Sequence, residues 1–166
     1  MVCIETPIHS TNVELKRSDL LVSYGYRHLI RSEQLTFFSR PPINLHISLL
    51  PWNRGADPNL WSFLEDSPKG ISIHTMDRGL DTGSLLLQKE IQFSENETLQ
   101  SSYDKLQHQI QLLFQSHWKA LRNGEIATTP QKGQGSLHRL VDKKPYLPLL
   151  SLGWNTPVRN LIGKAR

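Results

Sequence analysis

A single cysteine, Cys3, leaves this chain of 166 residues no second thiol for an internal disulfide and no thiolate cluster that could grip zinc. Such usage suits a reducing compartment. Long apolar runs are missing too: no stretch approaches the roughly 20 residues that span a bilayer, and MVCIETPIHS has no basic start leading into an apolar run. These absences predict a soluble, cytoplasmic chain without a membrane partner. Charge is scarce, at 20% of residues, and the net +4 is scattered, with only KRSD, VDKK and the terminal GKAR locally basic. A nucleic-acid partner is not favoured, because holding a phosphate backbone calls for clustered cations. No internal repeat, HExxH pair or nucleophile elbow is visible.

What is present fits one globular core. Apolar residues make up 37%, while ten prolines and ten glycines signal extensive loops. DLLVSYG (19–25) reads as a buried parallel strand ending at a glycine, and Tyr26 to Leu35 as a short helix or turn. INLHI follows as a strand, LLPWNRGADPN as an ordered loop, and NLWSFLED as a short helix with Leu60, Phe63 and Leu64 at helical spacing. GISIHTMD alternates with Ile71, Ile73 and Thr75 on one face, and RGLDTG turns it into SLLLQKEIQF to make a hairpin-like pair.

The clearest helix runs through Leu99, Tyr103, Leu106, Ile110, Leu113, Phe114, Trp118 and Leu121, with Ser94 and Glu97 spaced as a capping box and Gly124 as the stop. Its stripe is a core face. Residues 1–124 are read as the core, and 125–166 as an aperiodic tail packed on it through Tyr146, Leu147 and Trp154. Strands interleaved with helices predict an α/β sheet whose ligand crevice lies beyond the carboxyl ends of the strands.

Period-two alternation puts Asn44 and His46 on one face of INLHI, opposite Ile43, Leu45 and Ile47. Should Asp81 join them, an amide donor and an imidazole would serve an oxygen acquiring negative charge while the carboxylate orients the imidazole or relays protons. That set suits acyl transfer to an amine. Covalent catalysis fits less well, as Cys3 is remote in sequence and Ser48 has no elbow around it. His46, His74, Asp77 and Asp81 could in principle ligate a metal, although no known ligand spacing supports one. Each group also has a plain structural reading: a buried histidine is often just a satisfied core residue, and Asn44 or Asp81 could be turn formers. His108 and His117 lie on the long helix, and His28 and His138 have no evident partner. Arg54 and Asp57 are read either as a local ion pair or as contacts to an anionic ligand.

Together, INLHISLLPWNRGADPNLW and GISIHTMDRGLDTGSLLLQKEI resemble the formyltransferases that use 10-formyltetrahydrofolate, over approximately residues 19–93. Within that family the likeness is greatest to sugar-nucleotide N-formyltransferases. The resemblance implies a catalytic triad of Asn44, His46 and Asp81, and a folate site at Gly25, Tyr26 and Arg27, largely through backbone groups. Met76, Asp77 and Gly79 would form that pocket's other wall, with Ser48 and Arg54 on the substrate side. The implied fold is a formyltransferase-like partial Rossmann sheet with flanking helices, shortened at the N-terminus. The implied reaction moves a formyl group to a small-molecule amine, most readily that of an amino-sugar nucleotide, with 10-formyltetrahydrofolate as donor and no metal. Alternatives are folate binding without turnover, methionyl-tRNA formylation, and hydrolysis of the donor. A homodimer would be one way to rebuild the surface of the short N-terminal part.

Overall fold

The computed structural model describes residues 3–8 and 18–165. Lys16 and Arg17 of the basic KRSD stretch and the terminal Arg166 lie outside the described residues. The elements are β1 (Val22–Tyr24), α1 (Ser32–Leu35), β2 (Ile43–His46), β3 (Arg54–Gly55), α2 (Pro58–Leu64), β4 (Gly70–Thr75), β5 (Leu85–Glu90), α3 (Leu99–Asn123) and β6 (Leu137–His138). Four strands form one mixed sheet in the order β1-β2-β4-β5, and β3 pairs with β6 in a separate two-stranded ladder. The predicted α/β class holds.

In the mixed sheet β1 is parallel to β2, whereas β2, β4 and β5 are successively antiparallel. The expected hairpin between GISIHT and LLLQKE is present, with a bulge beside His74. Registered residues share a face, so Ser23, Asn44 and His74 form one polar row across three strands, and His46 stands opposite Ser72. The other face is apolar. Ile43, Leu45, Ile71 and Ile73 pack with Leu106, Ile110 and Leu121 of α3 in the main core. Each such side chain contributes roughly 1.5–3 kcal/mol on burial, which commits the sheet to this facing.

α3 begins one turn later than Ser94 and Glu97 imply. Thr98 is its N-cap, exchanging side-chain hydrogen bonds with Ser101, while Ser94 and Glu97 close the preceding turn. Gly124 ends the helix in the left-handed region at φ 72°. Trp118, placed in the core stripe by spacing, lies at the surface against Phe114. A second core joins Leu60, Trp61, Phe63 and Leu64 of α2 to Leu99, Val158 and Leu161.

Residues 125–165 are more regular than their composition suggests. Thr129 bridges Leu85, β6 runs parallel to β3, and Lys144–Leu149, Gly153–Asn155 and Val158–Asn160 are short 3-10 helices. Leu147 is largely exposed. The deeply buried contacts are instead Val158, Leu161 and His138, whose ring stacks on Trp61 at 3.8 Å.

Candidate functional site

β2 carries Asn44 and His46 on the polar side of the sheet, and the segments around it hold both in place. The Ser72 hydroxyl donates to the Ser48 carbonyl at 2.7 Å and accepts from the Leu50 N–H and from Gln88 Nε2, fastening the turn after β2 to the sheet. The turn brings the Asn53 carbonyl to His46. His46 Nε2 donates to it at 3.0 Å; because a carbonyl only accepts, the ring hydrogen is on Nε2 and Nδ1 carries the lone pair when the ring is neutral. Nδ1 faces Asp81 Oδ2 at 3.7 Å.

Asp81 arrives by a route that strand-end reasoning does not anticipate. Because β4 is antiparallel to β2, its carboxyl end lies beside Ile43, away from His46. The following loop therefore has to fold back across the polar face. Met76 N–H donates to the Pro42 carbonyl, and the Asp77 carboxylate accepts from Gly79 N–H at 2.9 Å and from the Thr82 hydroxyl at 2.6 Å. Asp81 itself adopts φ 54°, a left-handed conformation unusual for a residue other than glycine. Its carboxylate then accepts from Asn44 Nδ2 at 3.1 Å and from Gly55 N–H at 2.9 Å. Gly55 has to be a glycine: at φ 87° an added Cβ would lie 2.3 Å from the His138 carbonyl oxygen.

A second imidazole completes the cluster. His74, on the row with Asn44 and 1% exposed, donates from Nδ1 to the Thr75 carbonyl at 2.7 Å. Its Nε2 meets Asp81 Oδ1 at 3.4 Å and accepts from Asn44 Nδ2 at 3.4 Å. Burial disfavours the His46 imidazolium and sets its pKa below the ordinary value, with Asp81 and the Asn53 carbonyl opposing the shift and His74 adding to it. For Asp81, burial alone would raise the pKa. His46, the His74 contact and the Gly55 N–H outweigh it and hold the carboxyl well below the usual carboxylate range.

The structure thus brings Asn44, His46 and Asp81 together. Tyr24, Gly25, Tyr26, Arg27 and His28 line a separate cavity of about 330 Å³ with Ile4 and Glu5, at the carboxyl end of β1. Met76, Asp77 and Gly79 are not among the residues lining that cavity. The Tyr26 hydroxyl is engaged in binding Thr6 and Ile8 of the segment 3–8, while Gly25, at φ 61°, has nothing within 4 Å of where a Cβ would be. That side chain thus holds the loop, and the loop's backbone remains approachable. Ser48 and Arg54 are both engaged with backbone: the Ser48 hydroxyl donates to the Trp52 carbonyl, and the Arg54 guanidinium donates to the carbonyls of Gln134 and Ser136. The local ion pair between Arg54 and Asp57 is not formed, since Asp57 pairs with Lys143 at 2.8 Å.

Two members of the site escaped the sequence reading. His74 reads in the sequence only as a metal-ligand candidate, because its pairing with Asn44 depends on a strand register that the sequence does not show. Gln131 lies in the aperiodic segment, where no sequence signal marks it, and its Nε2 donates to the carbonyls of Asp81 and Gly83 at 2.7 and 2.8 Å. Among the described residues, no group of three His, Cys, Asp or Glu side chains is arranged to hold a metal ion. Nor is any described helix long and apolar enough to cross a membrane.

Comparison with known proteins gives the chain's relatives. Residues 8–116 match the family described as "Formyl transferase". The methionyl-tRNA formyltransferase of Caldanaerobacter subterraneus subsp. tengcongensis is 31% identical over 153 residues, covering 87% of this chain and 47% of that protein. The chain accordingly spans about half the length of the curated relatives it matches. Among solved structures, formyltransferase PseJ from Anoxybacillus kamchatkensis, in complex with UDP-4,6-dideoxy-4-formamido-L-AltNAc and tetrahydrofolate, superposes with a TM-score of 0.94 at 49% identity, over 98% of this chain and 86% of that one. A sugar N-formyltransferase from a Shewanella species gives a TM-score of 0.75 at 26% identity, over 82% of this chain and 56% of that one. On the span of that family match and on these identities, the chain belongs to the formyl transferase family.

Proposed function

We propose that this protein transfers a formyl group from 10-formyltetrahydrofolate to the amine of an amino-sugar nucleotide. The observation that carries the reading is the meeting of Asn44, His46 and Asp81, from two separate segments, around one point on the polar face of the sheet. The choice of amine rests on the 49% identity to PseJ, whose bound sugar nucleotide carries a 4-formamido group. A UDP-linked 4-amino-4,6-dideoxy sugar is the corresponding acceptor.

The donor supplies a formyl carbon on a nitrogen that departs as that of tetrahydrofolate. The approachable backbone at Gly25, in the cavity at the end of β1, suits a flat heterocycle, with Tyr26 and Arg27 flanking it; Met76, Asp77 and Gly79 lie outside that cavity, in the loop that carries Asp81. His46 Nδ1, neutral because burial disfavours the imidazolium, takes the proton that the attacking amine loses. Once protonated, it becomes a donor held in place by the ionised Asp81, and with Asn44 Nδ2 it offers hydrogens to the oxygen gaining charge. Asn44 gives up its 3.4 Å contact to His74 most readily, as that is the longer of its two bonds. His46 can then return its proton to the departing nitrogen, which balances the transfer without a metal. Ser48 and Arg54 shape the walls through the backbone they bind.

The test is incubation with 10-formyltetrahydrofolate and UDP-linked amino sugars, following folate product and the formylated sugar by mass. Formylated sugar with matching folate release is expected. Folate release without an amine would identify a hydrolase, and saturable folate binding with no turnover a binding protein; either result overturns the reading. The likeness to methionyl-tRNA formyltransferases favours one second acceptor, and formylation of methionyl-tRNA with no reaction on any amino sugar would put that acceptor in its place.

A further inference from the structure

We infer that Gln131 is the positioning residue that sets the Asp81 carboxylate against His46, an inference resting on the formyl-transfer reading above. Asp81 holds a left-handed backbone at φ 54°, and the Asp77 carboxylate braces the loop before it through Gly79 N–H and the Thr82 hydroxyl, which leaves the carbonyls of Asp81 and Gly83 for a donor from elsewhere. Gln131 Nε2 supplies the support from 50 residues away by donating to the carbonyls of Asp81 and Gly83 together. The amide orientation is unambiguous, since the reverse would press Oε1 against two carbonyl oxygens. Oε1 is itself buried with no hydrogen-bond partner. An orphaned acceptor is an unusual feature in a folded interior, and here it accompanies a donor placed to clamp both sides of one turn.

Gln131 is in turn held from both directions. Thr129 pairs with Leu85, and the Ser136 hydroxyl binds Asn53 and Glu65, next to the carbonyl that fixes His46. Gly83 permits the close approach: a Cβ there would lie 1.7 Å from the Thr75 carbonyl oxygen. Asp81, His74 and the Asn53 carbonyl are the groups facing His46, so a shift of Asp81 changes the charge that His46 feels.

The test is Gln131→Met, which keeps the length of the side chain and removes both donors. A drop in kcat of about ten- to a hundredfold is expected, with KM for donor and amine within about threefold, because misplacing a reacting group by around an ångström costs on that scale. Independently of turnover, the NMR titration midpoint of His46 should fall in the variant as Asp81 moves away. A folded variant with wild-type kcat and an unchanged His46 midpoint overturns the inference. If the wild-type chain transfers no formyl group, the functional reading fails, but the His46 titration still decides the role of Gln131. Should Gln131→Met not fold, Gln131→Asn, which keeps the amide on a shorter side chain, carries the same two measurements.

Discussion

Replacing Asp81 by asparagine separates the chemistry of the site from its architecture. With its oxygen in the Oδ2 position the amide still accepts from Gly55 N–H at 2.9 Å, and its NH2, in the Oδ1 position, finds a lone pair on His74 Nε2 at 3.4 Å while giving up the bond from Asn44 Nδ2. Hydrogen bonds to a charged group contribute about 1.5–3 kcal/mol, but removing a largely buried charge relieves a desolvation cost of similar size. The net effect on stability should stay within about 2 kcal/mol, or a Tm shift of up to roughly 8 °C for a chain of this size. Catalysis has no such compensation. With the carboxylate gone, nothing balances the imidazolium that forms when His46 accepts a proton, and the loss should approach the ~10²–10⁴-fold typical of acid–base catalysis, about 3–5 kcal/mol in barrier. The acid limb of kcat/KM should also move to lower pH, because Asp81 is what raises the pKa of His46 against burial. Stopped assays of folate release from pH 5 to 8, with thermal melts of both proteins, measure all three quantities. Turnover within tenfold of wild type, or an acid limb displaced upward, would refute the argument.

Three further outcomes follow from the same geometry. Asp81 and His46 both have pKa values below their ordinary ones in the fold, so the unfolded chain binds protons more readily at each; stability should be complete above about pH 6.5, fall first through His46 below it, and fall again through Asp81 below about pH 3.9. Urea titrations from pH 8 to 3 check this, and a midpoint rising with acid contradicts it. Gly55→Ala should cost at least about 2 kcal/mol in denaturant unfolding and lower kcat, because the added methyl collides with the His138 carbonyl and the backbone must shift, carrying the residue's N–H away from the Asp81 carboxylate; a change below about 0.5 kcal/mol would mean the β3–β6 ladder moves freely. Gly25→Ala meets no neighbour, so it should cost only about 1–2 kcal/mol of left-handed strain while raising KM for the folate and leaving KM for the amine alone; equal effects on both constants would remove this loop from the donor site.

How far the site could be read in advance depended on how far apart its members lie along the chain. Period-two alternation within INLHI and GISIHT is a local property, and it located the polar face with Asn44 and His46 and the apolar face that packs on α3. What alternation cannot supply is the direction of the neighbouring strand. Without knowing that β4 is antiparallel to β2, His74 had no visible tie to Asn44, and the loop to Asp81 looked like an approach from a strand end rather than a return across the sheet. β3 and β6 are two residues each, too short for any pattern, so the Arg54 loop and the segment after Thr129 read as unrelated coil. Ser48, Arg54 and Gln131 spend their donors on backbone carbonyls, and a carbonyl has no identity in a sequence. The polar face is therefore legible as a face, while its precision comes from main-chain contacts made by residues 131–138. Any substitution that loosens those contacts should reach Asp81 and His46 through the Gly55 N–H, the Gln131 amide and the Asn53 carbonyl, before it disturbs the apolar core on the opposite side of the sheet.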